Sequence, residues 1–244
     1  MKLRGKVALV TGGAKRVGRT IALGLASRGC HVAITYRTAS SEASATVREI
    51  QKRGVKGLAV SVDQREGEEV RGAVRQIRSH FRRLDILINS ASSFYPTPLE
   101  EVTDVQWDDL LNANLSGPWY FAQAAAPTMK RQRAGKIINI IDVAAFLPWV
   151  EYLPYCAAKG GLVSLTRGLA KALAPHVQVN GIAPGPILFP PGLSEQEKER
   201  AIRRTLLKRC GSPDDILQAV LFFLEGSDFV TGTILPVDGG RLLA

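Results

Sequence analysis

The 244-residue chain is expected to fold as a single α/β domain, a doubly wound parallel sheet of about seven strands with helices on both faces. Three observations predict this. Short, nearly continuous apolar runs alternate with amphipathic segments along the whole length, which is the pattern of strands buried on both faces. The first apolar run flows into a glycine turn that opens a helical pattern. No linker, repeat or biased segment interrupts the alternation, and a hydrophobic content of 45% is ample for a large core.

The expected strands are "VALVT" (7–11), "VAITY" (32–36), "GLAVSV" (57–62), "DILINS" (85–90), "KIINII" (136–141), "VQVNGI" (177–182) and "TILPV" (233–237). Helical periodicity falls between them at about 16–28, 40–53, 66–82, 101–131, 153–174 and 213–225. Right-handed crossovers then place helices on both faces. One stretch departs from the pattern. "APGPILFPPGLSEQEKERAIRRTLLKRCGSP" (183–213) packs four prolines into its first ten residues before a short charged helix pattern. An excursion after a late strand's carboxyl end is well placed to cover a ligand in such a sheet, so a substrate lid is expected at about 188–210.

Composition removes several classes. No apolar run approaches the ~18 residues of a membrane span. The basic, then apolar, start "MKLRGKVALVTGG" lacks the small-residue cleavage pattern of a signal peptide and reads as a first strand, so a cytoplasmic protein is expected. Cys30, Cys156 and Cys210 are widely spaced without a CxxC, and His31, His80 and His176 are equally scattered. These suggest reduced thiols and no metal site. The net charge is 32 − 22 = +10. Its basic clusters are interrupted and no nucleic-acid motif accompanies them, so they read as solvated surface.

The chemistry begins at "VTGGAKRVGRTIALGLASRG". Gly12 and Gly13 permit a tight turn, Gly18 lets the helix pack on the sheet, and the helix N-terminus offers free N–H groups to a diphosphate. The second strand ends in "ITYRTAS", with no acid to bind a ribose 2′-hydroxyl. Tyr36, Arg37 and Thr38 stand there instead, with Lys15 in the first turn. A guanidinium and a hydroxyl suit a 2′-phosphate, which predicts NADP(H) over NAD(H). In "YCAAK", Tyr155 and Lys159 share one helix face. An ammonium beside a phenol is expected to lower the phenol's pKa from ~10 and suit it to proton transfer as hydride arrives from a nicotinamide.

Taken together, "TGGAKRVG", "NSAS", "NANLSG", "YCAAK", "NGIAPGP" and "TGTILPVDGG" make the chain from about Lys6 to Arg241 resemble the short-chain dehydrogenase/reductase family, with its Rossmann-type fold. The resemblance implies a catalytic set of Asn114, Tyr155 and Lys159, with Asn114 anchoring a proton-relay water and Lys159 holding the nicotinamide ribose. It implies a cofactor site of Gly12, Lys15, Arg16, Val17, Gly18, Tyr36, Arg37, Thr38, Asp63, Asn89, Ala91, Ser92, Tyr155, Lys159, Pro184, Gly185 and Ile187. Asp63 would contact adenine, and Asn89 would support the sheet and cofactor site. Two residues depart from the family's usual pattern. Arg16 stands where glycine is common, and Asp142 stands where a serine usually lies thirteen residues before the tyrosine.

Both departures, with "NSASSFYPTPL" (89–99), resemble the pteridine reductase branch. That resemblance implies reduction of a pterin or folate-like substrate by a homotetramer, and it adds Asp142 to the catalytic set. Arg16, Ser92, Phe94, Asp142, Tyr152 and Tyr155 would line the substrate site. Phe94 would stack on the flat heterocycle opposite the nicotinamide. Asp142 would relay or polarise a proton bound for ring nitrogen, its own pKa raised by burial or lowered by Lys159. The alternatives are a ketoreductase of the same family, against which Asp142 counts, and a non-catalytic NADP-binding protein, against which the retained Asn114, Tyr155 and Lys159 count.

Overall fold

A computed structural model describes residues 1–189 and 192–244. Seven strands form one parallel sheet: β1 (Val7–Val10), β2 (His31–Tyr36), β3 (Gly57–Ser61), β4 (Ile86–Asn89), β5 (Gly135–Ile140), β6 (Val177–Pro184) and β7 (Ile234–Val237). Their order is β3-β2-β1-β4-β5-β6-β7. Val10 pairs with Ile34 on one side and Ile88 on the other, so the order reverses between β1 and β4. Ligand crevices open at that point, outside the carboxyl ends of the strands.

The eight helices among the described residues are α1 (Arg16–Ser27), α2 (Ser40–Lys52), α3 (Gly67–Phe81), α4 (Asp104–Leu111), α5 (Gly117–Gln132), α6 (Leu153–Leu173), α7 (Glu195–Arg203) and α8 (Pro213–Glu225). Strands such as Val7-Ala8-Leu9-Val10 are buried along their full length because both faces are covered. Ala8, Val10 and Ile34 face one core with Ile21 and Leu25 of α1 and Val220 of α8. Val7, Leu9 and Leu87 face the other, with Phe121 of α5 and Leu169 of α6. No helix among the described residues is long and apolar enough to cross a membrane.

The fold corrects the sequence reading in one of its helices and gives bounds to the short charged helix expected after β6. The helix expected at 101–131 is broken by a π-helical turn at Asn112–Ser116. There the Asn114 side chain donates to Leu110 O and Ser93 O, both at 2.9 Å, bonds that periodicity does not reveal. The excursion at 188–210 contains α7, whose Ser194 and Glu197 form a capping box and none of whose residues is buried. Pro190 and Pro191, within that excursion, lie outside the described residues.

The amino ends of the strands are tied by one buried acid. Asp85, 1% exposed, accepts from the Val7 N–H at 2.9 Å, takes a two-pronged Arg83 contact at 2.7 Å per bond and lies 3.4 Å from Lys6. Burial pushes its carboxyl up, but Arg83, the Val7 N–H and Lys6 together hold it below the usual 3.8. A depressed carboxyl stabilises the fold above its unfolded pKa, and the contribution is lost as pH falls through the folded value. Asp85→Ala is therefore expected to cost about 2 kcal/mol at pH 7, chiefly because it leaves the buried Val7 N–H unpaired, while Arg83 and Lys6 can turn to solvent. In urea unfolding, the gap between variant and wild type should narrow below pH 3.8. A gap that stays constant down to pH 2–3 would contradict this account.

Candidate active site

The glycine turn meets the β4 loop at the switch point. Gly12 has φ +64°, and a Cβ added there would lie 2.9 Å from Ala91 Cα, so only glycine fits. Thr11 Oγ1 accepts from the Ser90 and Ala91 N–H groups at 2.9 Å each, fixing the two loops together. Gly18 packs on the turn rather than on the sheet, since a Cβ there would run into the Gly12 carbonyl oxygen. One cleft brings together Gly12, Lys15, Tyr36, Arg37, Thr38, Asp63, Ala91 and Ser92. Close backbone approach at one end and Lys15 and Arg37 at the other fit a phosphorylated dinucleotide. Arg37 lies 3.9 Å from Asp63, and Lys15 pairs with Glu42 at 2.6 Å.

Other expected cofactor residues are placed less directly. Val17 packs against the core from the first turn of α1. Asn89 is buried and donates to Asn139 Oδ1 at 2.8 Å, which makes it a brace between β4 and β5. Pro184 ends β6, and the Gly185 N–H donates to Val237 O at 3.0 Å. Ile187 packs against the core and also lines a second pocket beside Leu207, Arg209 and Asp238.

Arg16 enters α1 at φ +50°, in the left-handed region where a non-glycine residue is strained by about 1 kcal/mol. Its guanidinium donates to Leu188 O at 2.8 Å and Phe189 O at 3.4 Å. It therefore spans from the glycine turn to the start of the 188–210 excursion, a link that residue spacing does not show.

The proposed chemistry clusters at the start of α6. The Tyr155 hydroxyl donates to Asp142 Oδ2 at 2.9 Å, while Asp142 Oδ1 accepts from the Ala144 N–H at 2.8 Å and caps a 3₁₀ turn. Lys159 Nζ donates to Ile140 O at 2.9 Å and sits 5.6 Å from the centre of the Tyr155 ring. Burial is the largest influence on all three groups. It lifts Asp142 above 3.8, outweighing the Ala144 N–H, Lys159 and Tyr155. It lowers Lys159 to about 8 against the pull of Asp142. It also lifts Tyr155 well above 10, with Asp142 adding to the rise and Ser92 opposing it. Burial first, and then the facing Asp142 carboxyl, thus push Tyr155 upward, opposite to the lowering expected from Lys159, whose ammonium is bonded to the Ile140 carbonyl.

Asn114 lies in the same pocket but is not joined to Lys159. Its Oδ1 accepts from Ser92 at 2.6 Å, and its amide holds Ser93 and Leu110. The side chain positions the 92–93 loop directly. Phe94 stacks on Tyr152 at 4.5 Å and 1° and meets Tyr155 edge-on at 4.9 Å and 74°. One Phe94 face is therefore covered by Tyr152. Tyr152 itself precedes α6 in a non-helical conformation (φ −141°) and does not share the Tyr155 helix face. Trp149 joins the cluster edge-on to both Phe94 and Tyr152, and its backbone N–H donates to Cys156 Sγ at 3.3 Å. The sequence reading missed Trp149 and Cys156. The aromatic density of "FLPWVEYLPYC" was the available signal.

Comparisons agree with this architecture. The short chain dehydrogenase family profile matches residues 6–200. The chain is 35% identical to the 3-oxoacyl-[acyl-carrier-protein] reductase FabG of Staphylococcus aureus over 98% of each chain. It is 34% identical to the 5-keto-D-gluconate 5-reductase of Escherichia coli, over 99% of this chain and 97% of that one. A blue fluorescent protein from a metagenomic library, solved in complex with NADPH, superposes with a TM-score of 0.91 at 33% identity, covering 99% of each chain. With this fold, switch-point cleft and sequence match, the chain belongs to the short chain dehydrogenase family.

Proposed function

We propose that the protein is an NADP(H)-dependent reductase of a pterin or folate-like heterocycle. The observation that carries this reading is the 2.9 Å bond from the Tyr155 hydroxyl to Asp142. The family's usual serine donates to a carbonyl oxygen. An ionised carboxylate accepts instead, and it suits the N–H groups of a pterin. When bound, the cofactor supplies hydride. Tyr155 holds the proton for ring nitrogen, Asp142 orients the phenol, and the Lys159 charge favours the phenolate left behind. Arg37, Thr38 and Lys15 hold the 2′-phosphate, and Asp63 marks the adenine end. Phe94, Tyr152 and Trp149 form an apolar wall against which a flat ring stacks. The segment 188–210 acts as the substrate lid, tethered at its start by Arg16. The exposed apolar Val105 and Trp107 of α4 and Trp119 of α5 fit assembly of the chain as a homotetramer.

A second reading, an NADPH-dependent ketoreductase, has a specific observation behind it. The relatives named above are reductases of 3-oxoacyl and keto-sugar substrates, and they favour this reading over the pterin one. Burial also raises the Asp142 pKa, and a protonated carboxyl can donate to a carbonyl oxygen as serine does. A substrate panel separates the two. NADPH and NADH oxidation would be followed with dihydrobiopterin, dihydrofolate, an acetoacetyl thioester and a keto-sugar acid. Turnover of a pterin or folate with NADPH is the expected result. Turnover of carbonyls alone would transfer the conclusion to the second reading.

A further inference from the structure

Arg65 connects the two ends of the cleft, and neither the family match nor the sequence reading gave it a role. Its guanidinium contacts Asp63 Oδ2 at 3.2 Å through Nη1, Asp109 Oδ1 at 3.0 Å through Nε and Ser93 Oγ at 3.5 Å through Nη2. Asp63 lies at the dinucleotide end of the cleft and faces Arg37 at 3.9 Å. Asp109, on α4, accepts from the Tyr95 hydroxyl at 2.9 Å. Ser93 and Tyr95 flank Phe94 of the aromatic wall. A line of charges thus runs Arg37–Asp63–Arg65–Asp109 and ends in the Tyr95 hydrogen bond, the Arg65 Nε–Asp109 link being an ion pair without a hydrogen bond.

The neighbouring Gln64 reinforces the same junction. Its side-chain amide donates to Ala91 O at 3.2 Å and Ala113 O at 2.6 Å, tying the loop after β3 to the loop after β4 and to the π-helical turn. The Arg65 side chain is 22% exposed and lies between two carboxylates, each about one-quarter exposed. Contacts at that depth are stronger than surface pairs; the guanidinium donates to Asp63 and Ser93 and meets Asp109 as a close ion pair.

We propose that Arg65 is a positioning residue that couples dinucleotide binding to the ordering of the 92–97 loop, and so to placement of the aromatic wall. A bound 2′-phosphate would compete with Asp63 for Arg37. Arg65 would then be the guanidinium left on Asp63, held between it, Asp109 and Ser93. This inference rests on the dinucleotide half of the proposed function and requires no particular substrate.

The test is amide hydrogen exchange of residues 92–97 with and without saturating NADPH, alongside NADPH affinity by fluorescence, in wild type, Arg65→Met and Asp109→Asn. In wild type, NADPH should slow exchange across the loop. Arg65→Met should weaken NADPH binding about tenfold and abolish the slowing even at saturation. Asp109→Asn, which also serves if Arg65→Met fails to fold, should lose the slowing with NADPH affinity within about twofold of wild type. Slowing that persists in the variants at saturation, or that is missing from wild type, overturns the coupling while the cofactor reading stands. If wild type binds neither NADPH nor NADH, the cofactor reading fails and this inference falls with it.

Discussion

Replacing Tyr155 by phenylalanine is expected to lower kcat for reduction by about 10²–10⁴-fold, the range removed with a positioned general acid. Binding of NADPH should change little. The variant keeps the aromatic packing of the ring beside Ala144 and loses only the hydroxyl bonded to Asp142. The wild-type pH profile provides a second check. Burial and Asp142 hold the phenol protonated well above the ordinary value of 10, so the proton it donates is present across the neutral range. Lys159, lowered to about 8 by burial, is charged below that pH and neutral above it. Reduction should therefore weaken above about pH 8, as the charge that favours the phenolate product disappears. Residual activity of Tyr155→Phe should lack this alkaline limb. Full turnover by the variant would remove Tyr155 from the mechanism and return the cluster to a packing role.

On the proposed pterin reading, Asp142→Ser should lower pterin reduction by about 100-fold, taken as the contribution of one group acting in proton delivery. NADPH affinity should be retained. The substitution is mild for the fold, because serine also accepts from a backbone N–H at a helix start and can preserve the bond to Ala144. It removes the carboxyl from Tyr155 and restores a hydroxyl donor suited to a carbonyl oxygen. Activity on an acetoacetyl thioester is therefore expected to be maintained or to rise. Pterin turnover that survives unchanged would refute the assigned role of Asp142. A parallel loss on every substrate would mean that Asp142 orients Tyr155 without selecting the substrate.

The two predictions rest on residues of different legibility. Tyr155 and Lys159 can be paired by spacing alone, because i and i+4 share a helix face. Asp142 lies thirteen residues upstream on a different element, and its contact with Tyr155 needs the β5–α6 connection to fold back. Tyr152 shows the limit of periodicity. It reads as one turn before Tyr155, yet the backbone is not helical there and the ring turns to Phe94. Arg16 reads as a cofactor and substrate contact from its place in the glycine turn, and only the fold shows its side chain reaching the carbonyls at 188 and 189. Ile187 belongs to the same region and packs against the core.

By itself, the sequence determined the alternating elements, the glycine turn before α1, the missing acid after β2 and the Tyr155–Lys159 pair. These are local properties: hydrophobic periodicity, backbone sterics and helical spacing act over a few residues. Only the tertiary structure decided the protonation balance of the site, the π-helical break at Asn114, the aromatic wall and the chain of charges through Arg65. Each of these joins groups far apart in sequence, and each depends on burial. The energy of a charge or hydrogen bond is set by the groups that surround it after folding, which no single stretch of chain specifies.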